Sequence, residues 1–143
     1  MVERLRRAEP MTRDVHSQFF LFSLSGVTGF VFDASIVWAL TYMAIDAIVA
    51  QGVAFSVAVT VTWWLNRKFT FSHLADHHVF REWLRYISAN SVGAIVNNGL
   101  YVILVLSVSV MNKHPVFAVA IGSLAGLSFN FTASRLLVFR RYS

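Results

Sequence analysis

Four long apolar stretches fill most of this chain, and each ends at charged or turn-forming residues. They run over about residues 19–43, 47–65, 86–110 and 115–137. A bilayer core needs roughly 20 apolar residues in a helix, and each stretch meets that length. The chain therefore reads as an all-α membrane protein with four transmembrane helices, whose main solvent is lipid.

Four spans leave little of the 143 residues for anything else. The reading is one membrane domain over residues 18–140, preceded by a polar, basic and flexible tail over 1–17. A separate catalytic domain has no room, which favours a carrier, channel or subunit over an enzyme. The chain has no cysteine, which excludes disulfides, thiolate nucleophiles and cysteine metal sites. The net charge of +5 is not a nucleic-acid footprint, because it is sorted by membrane side. Arg4, Arg6, Arg7 and Arg13 precede the first span, Arg67, Lys68, Arg81 and Arg85 lie between the second and third, and Arg135, Arg140 and Arg141 close the chain. Lys113 alone falls on the other side. By the positive-inside rule both termini and the central loop are cytoplasmic. The first span is too long for a signal-peptide core and carries Asp33, so it is read as retained.

The connections at residues 41–46 and 111–115 are short, so spans one and two form an antiparallel hairpin and spans three and four another. Pro115 suits the first turn of a helix, where its missing N–H is no loss. The central loop, about residues 72–85, is the longest connection. Within it, Phe80 to Tyr86 mixes aromatic and basic residues, as expected of a segment at headgroup level before the third helix enters the membrane. His73 and His77 have helical spacing, but no carboxylate accompanies them and a hydrated loop is the reading. Neither metal nor cofactor is expected.

The chain repeats itself. Asn66-Arg67-Lys68-Phe69-Thr70-Phe71 matches Ser134-Arg135-Leu136-Leu137-Val138-Phe139, and Gly29-x-x-x-Asp33 matches Gly93-x-x-x-Asn97. Each half is a hairpin of the same orientation, so the halves should be related by an axis along the membrane normal.

Asp33 is the only acidic residue deep in a span, about 21 Å along the helix from Phe19 at 1.5 Å per residue. A charge there costs about 2.5–3.5 kcal/mol. It must face protein or water, or be protonated. Either it is a functional group or it holds helices together by a hydrogen bond. Gly26, Gly29 and Asp33 share a stripe of the first helix. Asn90, Gly93, Asn97 and Tyr101 share one on the third, with Asn98 beside it. Gln51, Phe55, Val59, Thr62 and Asn66 share one on the second, and Gly122, Gly126, Asn130 and Ser134 one on the fourth. These imply a polar seam inside the bundle, or hydrogen-bond glue. Gly122-x-x-x-Gly126 admits another backbone closely and is where a homo-oligomer contact is first sought. Arg67 and Arg135 each end a helix at the cytoplasmic boundary. Their planar forks suit a phosphate, and snorkelling or topology fixing is the alternative. No phosphate loop, nucleophile elbow or zinc helix is present, and nothing couples the chain to ATP.

Over about residues 18–140 these motifs resemble the GtrA family of small four-span bacterial membrane proteins. The resemblance is carried by Ser25-Gly26-x-x-Gly29-x-x-x-Asp33, Asn66 to Phe71, Phe80 to Tyr86, Ser91-x-Gly93-x-x-x-Asn97 and Ser128 to Phe139. It implies translocation of a polyprenyl-phosphate-linked sugar across the cytoplasmic (inner) membrane for cell-surface polysaccharide synthesis, beside a glycosyltransferase partner. Asp33 and Asn97 would then be mid-membrane groups on the headgroup's path. Arg67 and Arg135, with Asn66 and Asn130, would contact the phosphate at the inner side. Leu136-Leu137 departs from the aromatic residue many relatives carry there, which weakens a stacking role at this end.

Two other readings stay open. A non-transporting subunit would anchor or stabilise a glycosyltransferase and co-purify with it. A small multidrug-type exporter also has four spans and an intramembrane acid, but the charge bias here fixes one orientation. A protomer this small is expected to be a homo-oligomer.

Overall fold

Two hairpins of long helices stand side by side in the computed structural model, which describes residues 14–139. Helix α1 spans Val15–Tyr42 and α2 spans Ala47–Leu65. A short 3-10 turn over Ser72–Leu74 leads to α3, Val79–Ser107. A brief α4, Ser109–Lys113, precedes α5, Pro115–Ala133. Both α2 and α5 end in a π turn, Asn66–Thr70 and Ser134–Val138 respectively. Four helices are long and apolar enough to cross a membrane. The protein is an all-α, four-span membrane protein built as two parallel repeats.

The helix limits follow from local chemistry. The Asp14 carboxylate accepts the Ser17 N–H at 3.2 Å, a side-chain cap that starts α1 four residues before the apolar run. Residues 15–17, expected in the tail, are therefore helical, and residues 1–13 lie outside the described part. Asp46 caps α2 by accepting the Ile48 and Val49 N–H groups. Pro115 opens α5 as expected.

The largest departure is at α3, which begins seven residues before the expected residue 86. The segment from Phe80 to Tyr86 is not a separate surface segment. No proline or glycine interrupts it, and Glu82 and Tyr86, one turn apart, both turn into the protein. The other end of α3 stops at Ser107, short of residue 110, because Val108 takes an extended conformation. His73 lies in the 3-10 turn and His77 beyond it, so the two do not share a helix face. Among the described residues no cluster suited to a metal ion occurs.

Within each hairpin, small residues let the helices close. Ala50, Ala54 and Ala58 of α2 are buried, as are Ala118, Gly122 and Gly126 of α5. These two sets coincide when α2 is shifted by 68 positions. Gly29 meets Thr62, Gly93 meets Asn130, and Gly122 and Gly126 meet Asn97. The stripe of Gly122 and Gly126 is therefore filled by α3 of the same chain and is not free for a second copy. Gly26, expected beside Gly29, has open space around it.

A Cβ placed on Gly122 would lie 2.7 Å from the Asn97 carbonyl oxygen, a backbone atom that cannot swing aside. Gly122→Ala is expected to lower stability in detergent by about 1–3 kcal/mol through overpacking. Gly99, with nothing within 4 Å, should accept alanine without loss. Thermal unfolding of the two purified variants checks this, and equal melting would refute the close approach.

The contacts that join the hairpins gather at one end, where Arg67, Arg135 and the α2–α3 connection lie. Phe22, Phe71, Tyr86, Phe131 and Phe139 form the buried cluster there, with Val59 and Val138. Lys68 sits over the Trp64 ring at 5.0 Å, an amphipathic pair suited to an interface. Elsewhere the spans present wide apolar surfaces, such as Trp38, Ile95 and Leu106, as lipid contact requires.

Candidate functional site at the basic end

The two repeated motifs come together. In each π turn the aromatic N–H donates back five residues, Phe71 to the Asn66 carbonyl and Phe139 to the Ser134 carbonyl, both at 2.8 Å. The two rings then stack, 4.8 Å between centroids and 20° between planes, in the offset range favoured by aromatic pairs. Phe22 packs on Phe71 at 6.2 Å and Tyr86 on Phe139 at 6.1 Å. These contacts mirror one another across the repeat, since α1 and α3 match at a shift of 64 positions.

The first repeat's arginine is paired. Arg67 Nη1 donates to Glu82 Oε1 at 2.6 Å and Nη2 to the Asp76 carbonyl at 2.9 Å. Trp63 Nε1 donates to the same Glu82 oxygen at 3.0 Å, and the Asp76 N–H donates to Glu82 Oε2 at 2.6 Å. Glu82 is fully buried, and its carboxylate accepts from three donors, as a buried charge must. Asn66 Nδ2 donates to the Tyr86 hydroxyl at 2.9 Å, while Thr70 donates to Asn66 Oδ1 at 2.8 Å. Trp83 Nε1 reaches Thr60 at 3.2 Å. Above this network Asp76 approaches Arg85 at 3.5 Å. The Asp76 carboxyl is held below its ordinary range, first by the His78 N–H and, to a lesser degree, by Arg85.

The second repeat lacks those partners. The position equivalent to Glu82 is Gln18, and that equivalent to Trp63 is Phe131. Both are buried, and neither carries a charge. Arg135 is half-buried and has no ion pair among the described residues. Ser134 Oγ, next to Arg135 in the same π turn, and Asn130 Oδ1 of α5, which lies against Gly93, are buried without a hydrogen-bond partner among the described residues. A buried polar atom left unpaired calls for an explanation, such as an unseen ligand or water.

The other expected site residues lie elsewhere. Gln51 Nε2 donates to the two Asp33 oxygens at 3.2 and 3.4 Å, inside one hairpin. Arg67 is sixteen residues beyond Gln51, about 24 Å along the helix at its usual rise. Asn97 packs on Gly122 and Gly126, also inside one hairpin. Among the described residues no hydrogen bond joins Asp33 to Asn97. The expected continuous seam is instead a dense network at the basic end and separate polar contacts toward the other end. Asn90 and Asn98 bond to carbonyls of their own helix.

Glu82, Trp63 and Tyr86 escaped the reading of the sequence. The repeat held the signal: Gln18, Phe22 and Gly29 of α1 have the spacing of Glu82, Tyr86 and Gly93. No curated protein matches the chain. The family model described as "GtrA/DPMS, transmembrane domain" matches residues 21–139, which takes in most of α1, the whole of the other three spans, both π turns and the Arg67–Glu82 pair. The chain thus belongs to the family of GtrA/DPMS transmembrane domains.

Proposed function

We propose that the protein moves a polyprenyl-phosphate-linked sugar between the leaflets of the bacterial cytoplasmic membrane, for synthesis or modification of cell-surface polysaccharide. In this reading the basic end and both termini are cytoplasmic. Arg135 captures the phosphate, and Asn130 and Ser134 bond to the headgroup beside it. Asp33 and Asn97 meet the sugar further across, and the prenyl tail stays in lipid. No enzymatic step is involved. Arg67 and Asn66 hold the entrance in shape through Glu82 and Tyr86.

The observation that carries the proposal is the inequality of the two repeats. One arginine is neutralised by a buried carboxylate. Its counterpart has a neutral glutamine at the matching position, and on the same helix Ser134 Oγ and Asn130 Oδ1 lack a hydrogen-bond partner among the described residues. A half-buried arginine with no ion pair among the described residues carries a desolvation cost, and an anionic headgroup would reduce it. Membership of the family supports the same substrate class.

Purified protein reconstituted with a fluorescent polyprenyl-phosphate sugar tests this, using a membrane-impermeant quencher to read each leaflet. The expected result is movement above the protein-free rate. Absence of movement, with a glycosyltransferase co-purifying from cells, would favour an anchoring subunit instead. The broad apolar faces suit that second reading, since little of any span is buried within the chain. A homo-oligomer stays part of the proposal, with its contact on those faces rather than on the Gly122/Gly126 stripe.

A further inference from the structure

In the second hairpin, residues of α3, α5 and the π turn after it line a groove of about 490 Å³. Arg81 and Arg85 stand at its polar mouth. Leu84, Val92, Phe129 and Leu137 form its walls. The small side chains of Ala89 and Ala133 leave its floor open, and no acidic residue is among those that line it. From Arg81 to Val92 the groove follows eleven residues of α3, about 16 Å. That is close to half of a roughly 30 Å hydrocarbon core. Trp83, which reaches the other hairpin at Thr60, points to roughly the opposite side of α3, two residues being about 200° apart on a helix. The groove is therefore distinct from the contact between hairpins.

We propose that this groove holds one anionic phospholipid of the leaflet at the basic end. The phosphate sits between Arg81 and Arg85, and one acyl chain lies along Leu84, Val92, Phe129 and Leu137. Charge and shape both select this occupant. Two guanidinium groups at headgroup depth attract a net negative head. A single furrow ending near mid-bilayer fits one acyl chain and is too short for a prenyl chain many times its length. Asp76 approaches Arg85 at 3.5 Å and also lies within electrostatic reach of Arg81, so one carboxylate faces two guanidinium groups and a net positive charge is left at this end of the groove. A bound lipid here would brace the start of α3, the element that carries Glu82. The inference does not rest on translocation.

Native mass spectrometry of the full chain in detergent tests it, with phosphatidylglycerol, phosphatidylcholine of matched acyl chains, and decaprenyl phosphate as probes. One phosphatidylglycerol is expected to remain bound at activation energies that strip phosphatidylcholine. Arg81→Gln removes a charge-assisted contact and should weaken its binding about tenfold or more. Ser88→Trp fills the groove from an exposed position and should do the same. Neither change should alter thermal melting in lipid-free detergent. Equal retention of the two phospholipids, or undiminished phosphatidylglycerol binding in both variants, would overturn the proposal. Preferential retention of decaprenyl phosphate would also overturn it and make the groove a port for substrate.

Discussion

Purified protein carrying Glu82→Ala is expected to melt well below the wild type. Glu82 is fully buried and receives hydrogen bonds from Trp63, Arg67 and the Asp76 N–H. Removing it leaves one charge and two N–H donors without their partner in a partly buried space. Breaking a buried ion pair from one side costs about 3–5 kcal/mol. The loss should be cooperative across the fold, because Trp63 and Arg67 belong to the first hairpin, Glu82 to the second and Asp76 to the connection. Glu82→Gln should lose less, since an amide oxygen still accepts from Trp63. The double change Arg67→Met/Glu82→Leu should recover part of the loss, because no unpaired charge remains. Thermal unfolding of the three variants in one detergent checks the order. A Glu82→Ala protein as stable as the wild type would show that Glu82 does not hold the hairpins together.

Arg135→Gln is expected to do the reverse, sparing the fold and removing most of the transport. Arg135 makes no ion pair among the described residues, so its loss leaves no stranded partner. Its role would appear only when a phosphate arrives. A phosphate crossing hydrocarbon faces a penalty like that of any buried charge, and the guanidinium offsets part of it at the entrance. Hydrogen bonds to charged groups contribute about 1.5–3 kcal/mol, or roughly 10- to 100-fold in rate if they act in the limiting step. Arg135→Lys should restore part of the rate, because a lysine keeps the charge but loses the bidentate fork.

Much of this architecture was legible in the sequence, because hydrophobic length is a strong signal and short turns leave no choice but hairpins. The repeated arginine motif was legible too, and it turned out to mark two π turns whose phenylalanines stack on each other. Glu82 was hidden for a physical reason. A basic, aromatic segment beside a membrane reads equally well as a surface segment or as the first turns of a helix. Only burial separates the two. Glu82 and Tyr86 point inward, whereas Phe80 and Arg81, just before them in the same segment, point out. The glycines teach the same lesson. Gly26 and Gly29 were equivalent by pattern, but Thr62 closes on Gly29 and nothing approaches Gly26. A stripe of small residues announces a close helix without saying whose. For Gly122 and Gly126 the answer was α3 of the same chain. Likewise, Arg67 and Arg135 were alike by pattern, and only the fold shows that Arg67 pairs with Glu82 while Arg135 makes no ion pair among the described residues. That difference is the ground on which the proposal gives Arg67 a structural role and Arg135 the substrate.

The most direct measurement is the leaflet-resolved rate for a fluorescent polyprenyl-phosphate sugar in vesicles holding equal amounts of folded wild-type and Arg135→Gln protein. The account predicts a rate at least about tenfold lower for the variant, with identical melting of the two proteins. A variant that moves the lipid as fast as the wild type would contradict it.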